Sequence, residues 1–186
     1  MIKEALYVTL FSFWSCTTFA AFAGSYYIIP LALEKCSVSE CENPIIVFSN
    51  YKIRKLDRST YVYTGSMNAT IPIDDDIWAR ADVSVWGNGG WKPNFYTFEM
   101  GKFCSGMRKF LPKFDEEITM RLNQTCPAPP GFYTLTNLNF RQESQHIPSL
   151  PYGKYKAKII GFDKDKNCVA CANFVCEVVP KRRKRP

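Results

Sequence analysis

The sequence predicts an all-β protein, an antiparallel β-sandwich carrying one short helix. Three observations predict it. Apolar and polar residues alternate through most of the chain, which is the period of strands buried on one face. Glycine and proline, 10 and 12 of the 186 residues, cluster between those segments as turn signals. Only one stretch spaces its apolar residues three and four apart, as a helix does.

The chain opens with Lys3, an apolar run over residues 5–22, and Ala21-Phe22-Ala23 before Gly24. A charged start, an apolar centre and an A-x-A end describe a secretory signal peptide over residues 1–23. The other reading is an N-terminal membrane anchor. Ser12, Ser15, Thr17, Thr18 and the small-residue end favour cleavage. No later stretch is long and apolar enough to span a bilayer. The expected product is secreted: one domain over residues 24–179, large enough to bury most of its apolar surface, and a basic tail over residues 180–186.

Cys16 leaves with the signal, and Cys36, Cys41, Cys104, Cys126, Cys168, Cys171 and Cys176 remain. An oxidising compartment makes disulfides the default, and seven is odd, so one thiol is free or pairs with another molecule. Cys168-Val-Ala-Cys171 lacks the second ligand pair that zinc needs. Asn68-Ala-Thr70 and Asn123-Gln-Thr125 are acceptors for N-linked glycans, expected at the surface. Of the net charge of +7, five belong to Lys181, Arg182, Arg183, Lys184 and Arg185, leaving +2 for the body. Behind a signal peptide such a tail does not read as a nucleic-acid arm. It reads as a solvated end. Attraction to an anionic surface and trimming by a protease specific for paired basic residues are secondary readings.

In order, residues 24–44 form an irregular lead-in with a short strand. Residues 45–53 put Ile45, Val47, Tyr51 and Ile53 on one face. A long strand over 59–73 turns Tyr61, Tyr63, Met67, Ala69, Ile71 and Ile73 inward and the acceptor Asn68 outward. Asp74-Asp75-Asp76 lacks the alternating ligands and turn glycine of a calcium loop. Residues 78–86 turn Ala79, Ala81, Val83 and Val85 one way, and Gly87-Asn88-Gly89-Gly90 is a turn. A strand then runs over 95–103. Phe103, Met107, Phe110, Leu111 and Phe114 form the short helix, limited by Pro112. Residues 115–125 read as a further strand. Cys126-Pro-Ala-Pro-Pro-Gly-Phe-Tyr133 and Leu150-Pro-Tyr-Gly-Lys-Tyr155 each introduce a strand with proline, glycine and an aromatic. In the second, Tyr155, Ala157, Ile159 and Gly161 alternate with Lys154, Lys156, Lys158 and Ile160. Residues 163–167 form a hairpin turn, and Ala170, Ala172, Phe174, Cys176 and Val178 share one face of the last strand.

Catalytic chemistry has little to draw on. His146 is the sole histidine, no nucleophile elbow or phosphate-cradling glycine loop occurs, and Glu116 and Glu117 would point to opposite faces of a strand. An enzyme, a cofactor and a metal site are not expected. Aromatics make up 15% of the chain. They fit either a dry, packed core or sheets held apart around an apolar guest.

Cys126-Pro127-x-Pro129-x-Gly131-x-Tyr133 and Leu150-Pro151-x-Gly153-x-Tyr155 resemble motifs of the ML-type lipid-recognition family. So do Phe48-Ser49-Asn50-Tyr51-x-Ile53-Arg54 and Phe103-Cys104. The closest likeness is to its ganglioside-activator-like branch of secreted insect proteins, some of them linked to contact chemosensation and pheromone response. The resemblance spans roughly residues 45–178. It implies an immunoglobulin-like sandwich with a lipid cavity between the sheets, opened at one edge. It also implies a Cys104–Cys126 bridge and a tie from Cys36 or Cys41 to the last strand. The implied partners are a lipid or other hydrophobic small molecule and a membrane receptor, with no nucleic acid. Combined with the strand faces, it suggests a cavity lined by Tyr61, Tyr63, Met67, Ile71, Val83, Val85, Phe98, Phe103, Met107, Phe110, Leu111, Phe114, Leu138, Phe140, Tyr155, Ile159 and Phe174. The competing reading is an extracellular interaction protein with a filled core.

Overall fold

A computed structural model describes residues 23–57, 60–139 and 150–181. The signal peptide with Cys16, Phe140, His146 and the tail from residue 182 lie outside them. The strands are β1 (Ala23–Gly24), β2 (Tyr26–Lys35), β3 (Ile46–Lys55), β4 (Tyr61–Ala69), β5 (Trp78–Gly87) and β6 (Gly90–Lys102). Helices α1 (Phe103–Phe110) and α2 (Pro112–Leu122) follow, then β7 (Gly131–Asn139), β8 (Leu150–Pro151), β9 (Gly153–Phe162) and β10 (Cys168–Pro180).

Strand pairing runs β6-β5-β9-β10-β3-β4-β7, with β2 also on β10, and β1 pairs with β8 apart from the rest. The main ladders are antiparallel, as expected. The exception is β10 to β3, a parallel contact at Ala170–Ile46 alone. That contact divides the path into a larger layer, β6-β5-β9-β10-β2, and a smaller one, β3-β4-β7. One edge of β10 is shared: β2 takes residues 172–180 and β3 touches residue 170. The chain is therefore a β-sandwich whose layers meet at a corner.

Three segments differ from the sequence reading. The lead-in is mostly strand, since β2 pairs along nearly its whole length with β10. In β3 the inward face starts on even residues, Ile46 and Phe48, while Ile45 and Val47 are exposed. A register shift between Ser49 and Lys52, with Asn50 at φ 55°, then returns Tyr51 and Ile53 to the inward face. A bulge adds one residue and flips the parity, which a strict alternation rule misses. In β4 the odd residues do share a face with Ile53 and Leu138 by register, but Val62 is 3% exposed, so both faces are covered.

The third difference is helical. Residues 112–122 are α2, not a strand, so among the described residues there are two helices in place of one. Pro112 ends α1 and starts α2 at the first turn, where a missing N–H costs nothing. Asp115 lies in that turn, Glu117 and Arg121 pair at 3.2 Å one turn apart, and Asn123 closes the helix in the left-handed region at φ 49°. On α1, Cys104, Gly106 and Met107 are buried. Its start is held by the acidic loop: Asp75 accepts hydrogen bonds from the Ser105 N–H at 2.9 Å and the Ser105 hydroxyl at 2.6 Å. Asp74 accepts from the Asp76 N–H at 2.9 Å.

The predicted hairpins form. Asn88 (φ 50°) and Gly89 (φ 78°) turn β5 into β6, two successive left-handed residues as a tight hairpin requires. Three disulfides are present among the described residues: Cys36–Cys171, Cys41–Cys168 and Cys104–Cys126. Both lead-in cysteines thus tie to β10. Cys176, counted above with the bridging cysteines, is the free thiol and is buried. Its side chain shares the inward face with Ala172 and Phe174, away from another cysteine.

Ser105, hydroxyl first, holds the Asp75 carboxyl below its ordinary value of 3.8. A depressed carboxylate stabilises above the unfolded value and loses that contribution as pH falls through the folded one. Asp75→Ala is expected to cost about 1 kcal/mol near neutral pH. Urea unfolding should show the difference between variant and parent shrinking below pH 3.8.

Candidate functional site

Strand β9 runs from one core cluster to another. Its inward residues are Tyr155, Ala157, Ile159 and Gly161, by the register that pairs them with Val85, Val83, Ala81 and Ala79 on β5. At one end Tyr155 packs with Tyr26, Cys176 and Val178. At the other end Gly161 approaches Ala170, Ile77 and Val169 so closely that an added Cβ would lie 3.3 Å from the first two. Ile77 and Val169 belong to the second cluster, with Ile46, Ala69 and Ile73. The two clusters share no residue.

Between them, over about 20 Å of strand, lie Ala157 and Ile159. Ile159 is inward, yet 39% exposed. Its neighbours in the row are Ala81, Phe98 and Ala172; those of Ala157 are Val83, Phe174 and Leu33. Alanines in the centre of the row leave space that a larger residue would fill. Isoleucine in a closed core would be covered. The inward face of the larger layer is thus sealed at both ends and accessible in the middle.

The smaller layer contributes Ile53, Tyr63 and Leu138 in one row, and Phe48, Met67 and Tyr133 in another. Phe48, Met67 and Tyr133 also border the Ile46–Val169 cluster. The Tyr63 hydroxyl lies over Gly65, where any side chain would collide with it. Burial pushes the phenols of Tyr51 and Tyr63 up to about 12, Tyr63 also through Tyr51 beside it.

The residues proposed as cavity walls fall into three groups. Val83, Val85, Tyr155 and Phe174 border the Tyr26–Val178 cluster, and Phe98 and Ile159 lie in the accessible row. Ile71 and Phe103, with Met67, surround the opposite cluster. Met107, Phe110, Leu111 and Phe114 come from the helices, and Phe110 meets Phe98 edge-on at 4.9 Å. Leu138 is fully buried, Met107 and Tyr155 nearly so, and Tyr61 lies half-buried at a strand end with Lys55 over its ring. Sequence reasoning passed over Ala81, Ala157 and Ala172. Their alternation with the larger residues marked them, but a small side chain reads as filler.

The helices occupy the edge opposite the corner. Gly106 and Phe110 lie against Met100 and Phe98 of β6, while α2 lies against β7, where the Arg121 guanidinium donates to the Thr136 carbonyl at 2.9 Å. They bridge the free edges of the two layers. Arg108 also donates to the Cys126 carbonyl.

The outward face of the larger layer differs in character. Lys158 pairs with Glu40 at 3.6 Å, and the Glu40 carboxyl is lowered chiefly by the Ser37 N–H. A depression of about 720 Å³ lies there, bounded by Val38, Glu40, Glu42, Asn43, Asn167 and the Cys41–Cys168 bridge. Its acids and amides do not suit an apolar guest.

Residues 76–157 match the family described as "Protein of unknown function (DUF1091)", an ML-like domain family. The match runs from the loop before β5 through both helices and β7 to the middle of β9. The resemblance to ML-type lipid-recognition proteins stands over that stretch. Among solved structures, a Niemann-Pick type C2 protein from Japanese carpenter ant is similar at 12% identity and a TM-score of 0.38, over 79% of this chain and 98% of that one. Chicken MD-1 complexed with lipid IVa is similar at 14% identity and a TM-score of 0.35, over 78% and 96%. No curated protein matches the chain.

Burial also pushes the Cys176 thiol up to about 12, and burial first, then Cys176, raises Tyr155. Alkylation of the native protein at mildly alkaline pH is expected to leave Cys176 unmodified, and denaturant to expose it, read by peptide mapping. Because the folded thiol titrates above its ordinary 9.0, its contribution is complete below that pH and is lost as pH rises toward about 12. Cys176→Ala should flatten that part of the alkaline loss of stability.

Proposed function

We propose that this ML-like chain is a binding protein that holds a lipid or other hydrophobic molecule between its two layers. The observation that carries the proposal is the accessible, inward Ile159 between two separate core clusters. An acyl chain seated along β9 would cover Ile159, Ala157 and Phe174. Burial is worth about 0.8 kcal/mol per CH₂, so a ten-carbon chain gains roughly 8 kcal/mol on leaving water. Association and ordering oppose that gain, so a polar head held at the rim fits better than full enclosure. The helix-bridged edge is the route for entry.

The finer reading is a secreted carrier. Three disulfides and the signal-like start support an oxidising compartment. The family resemblance supports delivery of a hydrophobic chemical cue to a membrane receptor, with binding rather than catalysis as the activity. Attraction of the basic tail to anionic surfaces belongs to the same proposal.

Purified protein should carry lipid in native mass spectrometry and take up a fluorescent fatty acid. Ile159→Trp, which fills the gap, should weaken uptake about tenfold or more, equivalent to about 1.4 kcal/mol, with the fold intact by circular dichroism. Absence of both co-purified lipid and uptake would leave the packed-core interaction reading in its place.

A further inference from the structure

Apart from the buried Val62, the outward face of the smaller layer is polar except in one place. Ser66 and Thr134 share a row there, and Thr64, Lys52 and Arg54 extend the polar surface. The exceptions are Val47, 40% exposed, and Phe132, 66% exposed. Register puts Val47 and Phe132 directly on either side of Asn68, in one row across β3, β4 and β7. Ile45, 36% exposed, lies next to Thr70, whose N–H and hydroxyl both donate to the Ile45 carbonyl at 3.2 Å. Asn68 and Thr70 are the first and third residues of a glycan-acceptor triplet. The apolar residues exposed on this face therefore flank its one acceptor asparagine.

Cross-strand neighbours have Cβ atoms about 5 Å apart. A pyranose ring is of that size, and its C–H face is apolar. β7 is the outermost strand of the smaller layer, and α2 covers its edge at Thr136, so what stays exposed here is the apolar surface of Phe132 itself. We propose that Asn68 carries an N-linked glycan whose first sugars lie over Val47 and Phe132 and shield this apolar row.

The modification requires a lipid-diphosphate-linked oligosaccharide as donor. The Asn68 side-chain nitrogen forms a bond to the anomeric carbon of the first N-acetylglucosamine. The anomeric C–O bond to diphosphate breaks, its electron pair leaves with the diphosphate, and the amide gives up one proton. Nothing is oxidised or reduced. Transfer takes place on the extended chain before Thr70 engages Ile45. The inference does not depend on a guest between the layers.

The full chain expressed in a eukaryotic secretory host is the test, with occupancy at Asn68 read by peptide mass mapping. Expected are an occupied Asn68 and, for Asn68→Gln, a several-fold rise in apolar-dye binding and light scattering. Phe132→Ser in that background should reverse the rise, while Phe132→Ser in the glycosylated protein should change little. Thr125→Ala, which removes the other acceptor, should not produce the rise. If Asn68→Gln fails to fold, enzymatic trimming of the native glycoprotein to a single sugar should preserve the shielding, and complete removal should abolish it. An unoccupied Asn68 overturns the proposal, as do effects of the two substitutions that merely add.

Discussion

The structure depends on how little joins its two layers. Among the described residues their backbones meet at one corner, where Ala170 pairs with Ile46 and the Ile45 N–H donates to the Val169 carbonyl at 3.0 Å. Beyond that corner side chains join them at one end of β9, where the Ile46–Val169 cluster draws on both layers, while the Tyr26–Val178 cluster at the other end belongs to the larger layer and its neighbours. A continuous ladder would have forced the layers to stay one sheet, while a uniform core would have closed them. A short joint with shared packing at one end leaves the layers free to part beyond it.

The anchors follow from the same arrangement. β10 is the strand that meets three neighbours, and two disulfides attach the lead-in to it. The Glu40–Lys158 pair adds a weaker tie on the outer face, of the size exposed ion pairs give. On the opposite side the acidic loop is structural: Asp75 spends its charge on the start of α1. Helix, loop and disulfide together hold the edge that no strand closes.

Much of this was legible. The inward faces of β5, β9 and β10 follow plain alternation, because those ladders keep their register through the stretch that matters. The proline-glycine-aromatic starts of β7 and β9 also read correctly. Elsewhere the pattern failed for identifiable reasons. Asn50 in the left-handed region shifted β3 by one residue, and asparagine outside a Gly-flanked turn gives little warning of that. Residues 115–122 alternate weakly enough to pass for a strand. Their caps, Pro112 and Asn123, were the better evidence, since they act whatever the pattern between them. Ile159 was among the expected wall residues, but nothing in the pattern singled it out as the uncovered one. Which inward residue remains uncovered depends on the layer opposite, and that is a long-range property.

The Cys104–Cys126 bridge closes both helices into a covalent ring 22 residues around, whose roots lie 5.6 Å apart at the Cα atoms. Such a ring cannot be drawn out beyond its closure. The reach of this margin is thus set by covalent length, whatever the strands beside it contribute.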